Sequence, residues 1–355
     1  MISALMLTLF PRRTALLAWT AALLALAATP RLAADLTWSP ATGWKVEEGS
    51  LSGLTGAKGH GALDLMNKAR RDEEAGRTSA AIKGYDKVAS KYQGSVFAPE
   101  ALFREARLYQ GRKQLYKAFQ AYQTVLRLYP NTKRFNEVIG EQYRIASALL
   151  NGAHNRMLGG LIPGFANRSK GIEYFEVILI NAPYSDYAPL ALMDIARGFQ
   201  RENTKEDAID ALDRLVNTYP QSVLAPVAYL RLGDLYAALS EGPKYDQAST
   251  KEAMTYYEDY MILYPGDSNI AIAAAGVDRM KTILAQSKIY IGDFYFYKRQ
   301  NYRAARVFYN EAITSYPESA PAGLAKKRLA EVDAKMTMSA VGARNPPKKR
   351  WFWPF

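Results

Sequence analysis

Apolar residues recur along the chain with the period of a helix, and successive apolar segments end at the same dipeptide. Tyr-Pro occurs at residues 129–130, 219–220, 264–265 and 316–317, and Ala182-Pro183 stands in the same position relative to its segment. Proline cannot continue a helix, and it disfavours the helical conformation in the residue before it. The pattern therefore predicts helices that end at these dipeptides, with the polar residues that follow capping the next helix.

Counting back from Pro220 gives a unit of about 34 residues that contains two amphipathic helices. Each helix has an apolar face with the i, i+3, i+4 spacing, and the same spacing precedes Pro130. The residues of the unit before Pro220 are Leu192, Ile195, Ala196 and Phe199, then Ala208, Leu212 and Leu215. This is the pattern of the tetratricopeptide repeat. The sequence thus predicts an all-α fold, a tetratricopeptide-repeat solenoid of about five to six helix–turn–helix units with a C-terminal capping helix.

Two units depart from the regular spacing. The third is expected to be split, because the Gly-rich stretch 151–167 intervenes between its helices, 135–150 and 169–181. The sixth is expected to run from about Lys288 to Pro317.

The predicted domain boundaries follow from these units. The array covers residues 60–319 and the capping helix covers 320–336. Residues 35–59, rich in Gly, Ser and Thr with two Trp, are expected to be a poorly ordered leader. Residues 337–355 are expected to be a linker that ends in a basic and aromatic tail.

Residues 1–34 are typical of an export signal. Arg12 and Arg13 precede an acid-free apolar run that ends at Thr29, and small residues precede Asp35. The run is shorter than the roughly 20 residues that span a bilayer, which favours a signal peptide cleaved near Ala34 over an uncleaved membrane helix. These features predict export from the cytoplasm.

The formal net charge of +12 is compatible with anionic partners. Export argues against nucleic acid, so an anionic membrane surface is the favoured one. The sequence contains no cysteine, which excludes disulfides, thiol catalysis, cysteine zinc sites and a lipid-modified N-terminal cysteine within these residues.

Residues that could carry catalysis are scarce. The two histidines, His60 and His154, lie at the edge of the leader and in the Gly-rich stretch. No Gly-rich phosphate loop follows a strand pattern. We therefore expect no enzyme activity, no cofactor and no metal.

The first helices of such repeats line a groove that could hold an extended peptide. A Met or Phe recurs one turn before an Arg in three of them, and the Arg guanidinium matches a carboxylate. The alternative is that these residues only cover apolar surface. The candidate partner-binding residues are Met66, Arg70, Phe103, Arg107, Met193 and Arg197.

Two stretches resemble the BamD family of outer-membrane protein assembly factors. Residues 289–319, with Phe294-Tyr295, Arg299 and Tyr316-Pro317, resemble the last repeat of that family, and residues 168–188 resemble its middle repeat. The resemblance implies a periplasmic scaffold that holds the outer-membrane barrel insertase and binds the C-terminal segments of unfolded barrel clients. The alternatives are another periplasmic repeat scaffold, for envelope constriction or secretion, and an envelope glycan-binding protein or enzyme.

The C-terminal tail combines cations with aromatic rings, a combination that suits an anionic membrane interface. Docking of the tail on the protein's own groove is the alternative. The residues concerned are Lys348, Lys349, Arg350, Trp351, Phe352, Trp353 and Phe355.

Deleting residues 346–355 should remove most of the salt-sensitive binding to anionic vesicles, since each cation near such a surface contributes about 1 kcal/mol. Vesicle sedimentation at two salt concentrations measures this, with alanine at Lys326 and Lys327 as a control for lost charge elsewhere. Unchanged vesicle binding together with tighter binding of client peptides would favour docking of the tail on the groove instead.

Overall fold

The computed structural model describes residues 35–47 and 57–344, so the predicted signal peptide, 1–34, and the basic-aromatic tail lie outside the described residues. Two short antiparallel hairpins are formed by β1 (Asp35–Ser39) with β2 (Gly43–Glu47) and by β3 (His154–Met157) with β4 (Ile162–Ala166). The helices are α1 (Ala57–Glu74), α2 (Thr78–Lys91), α3 (Phe97–Gly111), α4 (Leu115–Leu128), α5 (Phe135–Leu150), α6 (Arg168–Asn181), α7 (Tyr187–Glu202), α8 (Lys205–Thr218), α9 (Ala225–Leu239), α10 (Ala248–Leu263), α11 (Ile270–Asp293), α12 (Tyr302–Ser315) and α13 (Ala320–Arg344).

The predicted all-α fold of repeated helix pairs is confirmed. Successive helices pack against each other, as α1 does with α2 and α9 does with α10. The apolar face predicted for α8 is fully buried, with Ala208, Leu212 and Leu215 at 0% exposure. None of the helices within the described residues is long and apolar enough to cross a membrane.

The described chain forms two compact units. The first includes the residues up to Arg112 together with Gln120–Tyr129, and the second includes Lys113–Phe119 and the residues from Pro130 onward. In the first unit α1, α2 and α3 pack together with β2. In the second unit, α5 contacts α6 and α7, and each helix from α7 to α12 contacts the next.

Residues 35–47 correct the prediction of a poorly ordered leader. They form the β1–β2 hairpin, in which Trp38 pairs with Trp44 and Leu36 pairs with Val46. These four side chains pack against the core of the first repeat, and Trp44 is buried. The hairpin is stable because α1 covers one of its apolar faces. The residues that stabilise it therefore lie outside the hairpin sequence.

Two helices are longer than the sequence predicted. The helix that leads into the sixth unit begins at Ile270 rather than near Lys288, and a short π-helical turn, Phe294–Lys298, follows it. The last helix continues to Arg344 rather than ending near 336. Neither extension contains a proline, and the next one lies at Pro346. The predicted split of the third unit is present, with α5 and α6 separated by the β3–β4 hairpin.

A buried tyrosine on the second helix recurs in four repeats. Its hydroxyl donates a hydrogen bond to a carboxylate or amide oxygen on the preceding first helix. The pairs are Tyr85 with Glu73 at 2.5 Å, Tyr122 with Gln110 at 3.0 Å, Tyr257 with Asp234 at 2.6 Å and Tyr309 with Asp293 at 2.6 Å. Phe175 and Leu212 are the buried side chains at this position in the other two repeats.

Glycines on neighbouring helices make room for the tyrosine rings. A Cβ at Gly233 would lie 2.6 Å from the ring of Tyr257, and one at Gly276 would lie 2.7 Å from the other edge of the same ring. A Cβ at Gly292 would lie 2.6 Å from the ring of Tyr309. These glycines are therefore required by close packing, although each lies within a helix, where glycine is unfavourable.

Replacing Gly276 by alanine should lower the free energy of unfolding by about 1–3 kcal/mol, because the methyl group overlaps the ring of Tyr257. Urea denaturation followed by circular dichroism measures the change. The matched control is Gly323→Ala in α13, where no atom lies within 4 Å of the added methyl group. This control should be neutral or stabilising, because alanine favours a helix. Equal effects at the two positions would contradict the close packing of Gly276 against the ring of Tyr257.

Candidate partner-binding surfaces

Three of the predicted groove residues belong to the core instead. Met66, Phe103 and Met193 are 0%, 2% and 5% exposed. Met66 packs in the cluster that contains Trp44, and Phe103 packs against Tyr122 with 5.7 Å between ring centroids. The first helices contact more than one neighbour, so their apolar faces are wider than the sequence spacing suggested. These three side chains offer no surface that a peptide could contact.

Arg70 is covered by the chain's own leader. Its guanidinium lies 4.9 Å from the ring centroid of Trp38 and forms ion pairs with Glu73 and Glu74 at 3.1 and 3.0 Å. Arg104 lies in the same way 4.8 Å from the ring of Trp44. The β1–β2 hairpin thus occupies the face of α1 on which a peptide was predicted to bind.

Sequence reasoning missed both Arg104 and the hairpin. The missing information was the contact between the leader and α1, including the hydrogen bond from the Trp44 amide to Asn67 Oδ1 at 2.9 Å. The sequence signal that could have revealed the hairpin is the pair Trp38 and Trp44 on either side of the short turn 40–42.

The other two arginines remain accessible. Arg107 is exposed and has no ion-pair partner within the described part of the chain. Arg197 keeps 44% of its side chain exposed while it pairs with Asp194 at 2.8 Å. Arg107 lies in the first unit and Arg197 in the second.

An open apolar pocket lies between two successive inter-repeat turns of the second unit. Its volume is about 670 Å³. The Tyr219 hydroxyl donates a hydrogen bond to the Pro183 carbonyl at 2.7 Å, which ties the two turns together. The lining residues are Tyr184, Ser185, Asp186, Pro189, Leu190, Thr218, Tyr219, Pro220, Gln221, Ser222, Val223 and Leu224.

The pocket suits apolar side chains. Two of its apolar lining residues are largely exposed to water: Tyr184 is 99% exposed and Val223 is 89% exposed. Asp186 is the single charged residue of the lining. The Tyr219-Pro220 dipeptide that the sequence showed as a helix stop therefore also lines the pocket. Within the described residues, no cluster of three or more His, Cys, Asp or Glu side chains could hold a metal.

The chain matches two protein-family models. Residues 166–347, just over half of the chain, match the family model YfiO, outer membrane lipoprotein. Residues 100–132 match a tetratricopeptide-repeat model. No curated protein matches the chain.

The chain is also similar to several solved structures. A tetratricopeptide repeat protein from Parabacteroides merdae is 15% identical, with 77% of this chain and 99% of that chain covered at a TM-score of 0.30. The C-terminal part of a repeat-containing protein from Cytophaga hutchinsonii is 16% identical, with coverages of 76% and 87% at 0.31. MamA from Desulfovibrio magneticus is 17% identical, with coverages of 61% and 99% at 0.30.

One buried carboxyl lies between the two candidate positions of α3. Burial, with the nearby Asp86 carboxylate acting in the same direction, raises the pKa of Glu105 to about 7. In an unfolded chain the pKa of a glutamate is about 4.3. Between these two values the folded state binds more protons than the unfolded state, so stability falls as the pH rises.

The substitution Glu105→Gln should therefore flatten the decline in unfolding free energy between about pH 5 and pH 8. It should stabilise the protein by about 1–3 kcal/mol at pH 8. Denaturation at a series of pH values measures this, with Glu318→Gln at an exposed glutamate as the control. An identical pH slope in Glu105→Gln and the parent would contradict the assignment.

Proposed function

Because the chain belongs to the YfiO family of outer membrane lipoproteins, we propose that it is a scaffold of the machinery that assembles outer-membrane β-barrel proteins. In this proposal it acts in the periplasm, holds the barrel insertase and binds the C-terminal segments of unfolded clients. It does so by binding alone and needs no cofactor.

The pocket between the inter-repeat turns carries the client-binding part of the proposal. A membrane β-strand has apolar side chains at alternate positions, and in an extended segment these point to the same side. One such side chain can enter the pocket while its neighbours face solvent. The exposed rings and aliphatic groups of Tyr184 and Val223 would lose contact with water on binding, and this burial is the main source of affinity.

The accessible arginines support the same function. A client that ends in a free carboxylate needs a cation beside it, and the planar guanidinium forms paired hydrogen bonds with a carboxylate. Arg107 suits this role because it is exposed and without an ion pair within the described residues. Arg197 can also contribute, although Asp194 competes for it. Arg70 can contact a client only if the ring of Trp38 moves away from the Arg70 guanidinium.

Replacing Tyr184 by alanine and Val223 by aspartate should weaken binding of a barrel-derived, aromatic-ended peptide about tenfold or more. Loss of one buried apolar side chain costs about 1.5–3 kcal/mol, and 1.4 kcal/mol corresponds to a factor of ten. Fluorescence anisotropy of a labelled peptide measures the affinity, and circular dichroism verifies that helicity is kept.

The matched control is Val307→Asp, which places the same charge at another exposed valine of the second unit. It should bind the peptide as the parent does. Equal affinity of the pocket variant and the parent would remove the pocket from the proposal, and absence of binding by the parent itself would remove client recognition altogether.

A further inference from the structure

The β3–β4 hairpin exposes an apolar tip. Leu161 and Phe165 are 83% and 92% exposed, the highest values among the large apolar residues of this hairpin. Three more large apolar side chains of the same segment are 47–71% exposed: Met157, Leu158 and Ile162. Exposed apolar residues scattered singly are ordinary, whereas a contiguous group marks an interaction site.

The base of the hairpin is held in a defined position. The Arg156 amide donates to the Lys113 carbonyl at 2.8 Å, and the Tyr116 amide donates to Asn155 Oδ1 at 3.1 Å. Across the hairpin, Nδ1 of His154 lies 2.7 Å from the Gly164 carbonyl. The tip is therefore presented by a fixed support, so little conformational freedom is lost when it binds.

The turn itself is strained at a leucine. Leu158 has φ +47°, and the two glycines after it, Gly159 and Gly160, have φ +72° and +95°. The left-handed conformation suits glycine but is unfavourable for a branched side chain such as leucine. Such strain is found where function needs it, and here it accompanies a leucine side chain that is 71% exposed.

The chain segment that carries the tip is basic. No Asp or Glu occurs from residue 142 to residue 172. Arg156 and Arg168 are exposed on either side of the apolar residues. Lys170 is paired with Glu173 at 2.6 Å and is not counted among them. An apolar tip between two exposed cations is complementary to a bilayer interface, where anionic headgroups lie above the acyl chains.

Another exposed apolar residue of the same unit lacks this setting. Ile262 in α10 is 73% exposed, but Glu258 and Asp259 precede it on the same helix. Carboxylates one helical turn from Ile262 repel anionic headgroups. Exposure alone therefore does not distinguish the hairpin, whereas exposure on a basic segment without acidic residues does.

We propose that the β3–β4 hairpin inserts Leu161, Phe165 and their apolar neighbours into the interface of an anionic membrane, with Arg156 and Arg168 at the headgroups. The inference rests on the proposed function, which puts the protein beside the outer membrane. It adds a membrane contact that the described residues make directly, separate from the C-terminal tail.

The chain has no cysteine, so a single introduced thiol gives one labelling position in the full chain. Leu161→Cys or Phe165→Cys, carrying an environment-sensitive fluorophore, should shift to shorter wavelength with vesicles of phosphatidylcholine and phosphatidylglycerol. A quencher attached to the acyl chains should then lower the emission. The same label at Ile262→Cys should change in neither assay, and vesicles of phosphatidylcholine alone should give a weaker response.

A second variant tests binding rather than insertion. Leu161→Ser with Phe165→Ser should reduce partition of the full chain into the anionic vesicles about tenfold, while Ile262→Ser leaves partition unchanged. All three serine positions are exposed, so the helical circular dichroism signal should be the same as in the parent.

Labels at 161 and 165 that stay unresponsive to anionic vesicles would overturn the proposal. A response only in vesicles that also contain envelope proteins would overturn it too, because the hairpin's partner would then be a protein. Peptide binding through the pocket separates failure of the membrane contact from failure of the proposed function. If that binding is intact while the labels fail, the membrane contact alone is wrong.

Discussion

The fold depends on a buried ring that joins the two helices of a repeat. In four repeats this ring belongs to a tyrosine of the second helix, with its hydroxyl on an oxygen of the first. Burial, together with a carboxylate acceptor, raises the pKa of Tyr85, Tyr257 and Tyr309, so each hydroxyl keeps the proton that it donates. The hydrogen bond satisfies the polar end of a side chain that packing places in the core.

This arrangement sets what the repeats can expose. Apolar residues of the helices pack in the core with the rings and the small residues. Met66, Phe103 and Met193 are among these buried residues. Two groups of exposed large apolar side chains lie in connecting segments. One is formed by Tyr184 and Val223 in two successive inter-repeat turns, and the other by the β3–β4 hairpin. Connecting segments do not have to fill the core, so they are free to bind partners.

Most of the helical architecture could be predicted from the sequence. Proline stops and helical spacing are local signals, and they located α5 and α6 to within one residue. They also identified the apolar faces of α7 and α8. The β1–β2 hairpin could not be found in this way, because Trp38 and Trp44 are ordered by α1 and by Arg70 and Arg104 rather than by their neighbours in sequence. The sequence analysis also placed the start of α11 too late. Gly276 lies in this helix because it makes room for the ring of Tyr257, a packing requirement that the local sequence does not show. The pocket escaped prediction because its two walls come from turns that lie more than thirty residues apart.

The central claim, a scaffold within the barrel assembly machinery, is tested most directly by its partners in native envelopes. The tagged full chain would be crosslinked in intact cells, recovered from solubilised envelopes and its partners identified by mass spectrometry. The account predicts that the outer-membrane barrel insertase is the most enriched protein, with barrel proteins among the others. Enrichment of constriction or secretion components without the insertase would contradict it.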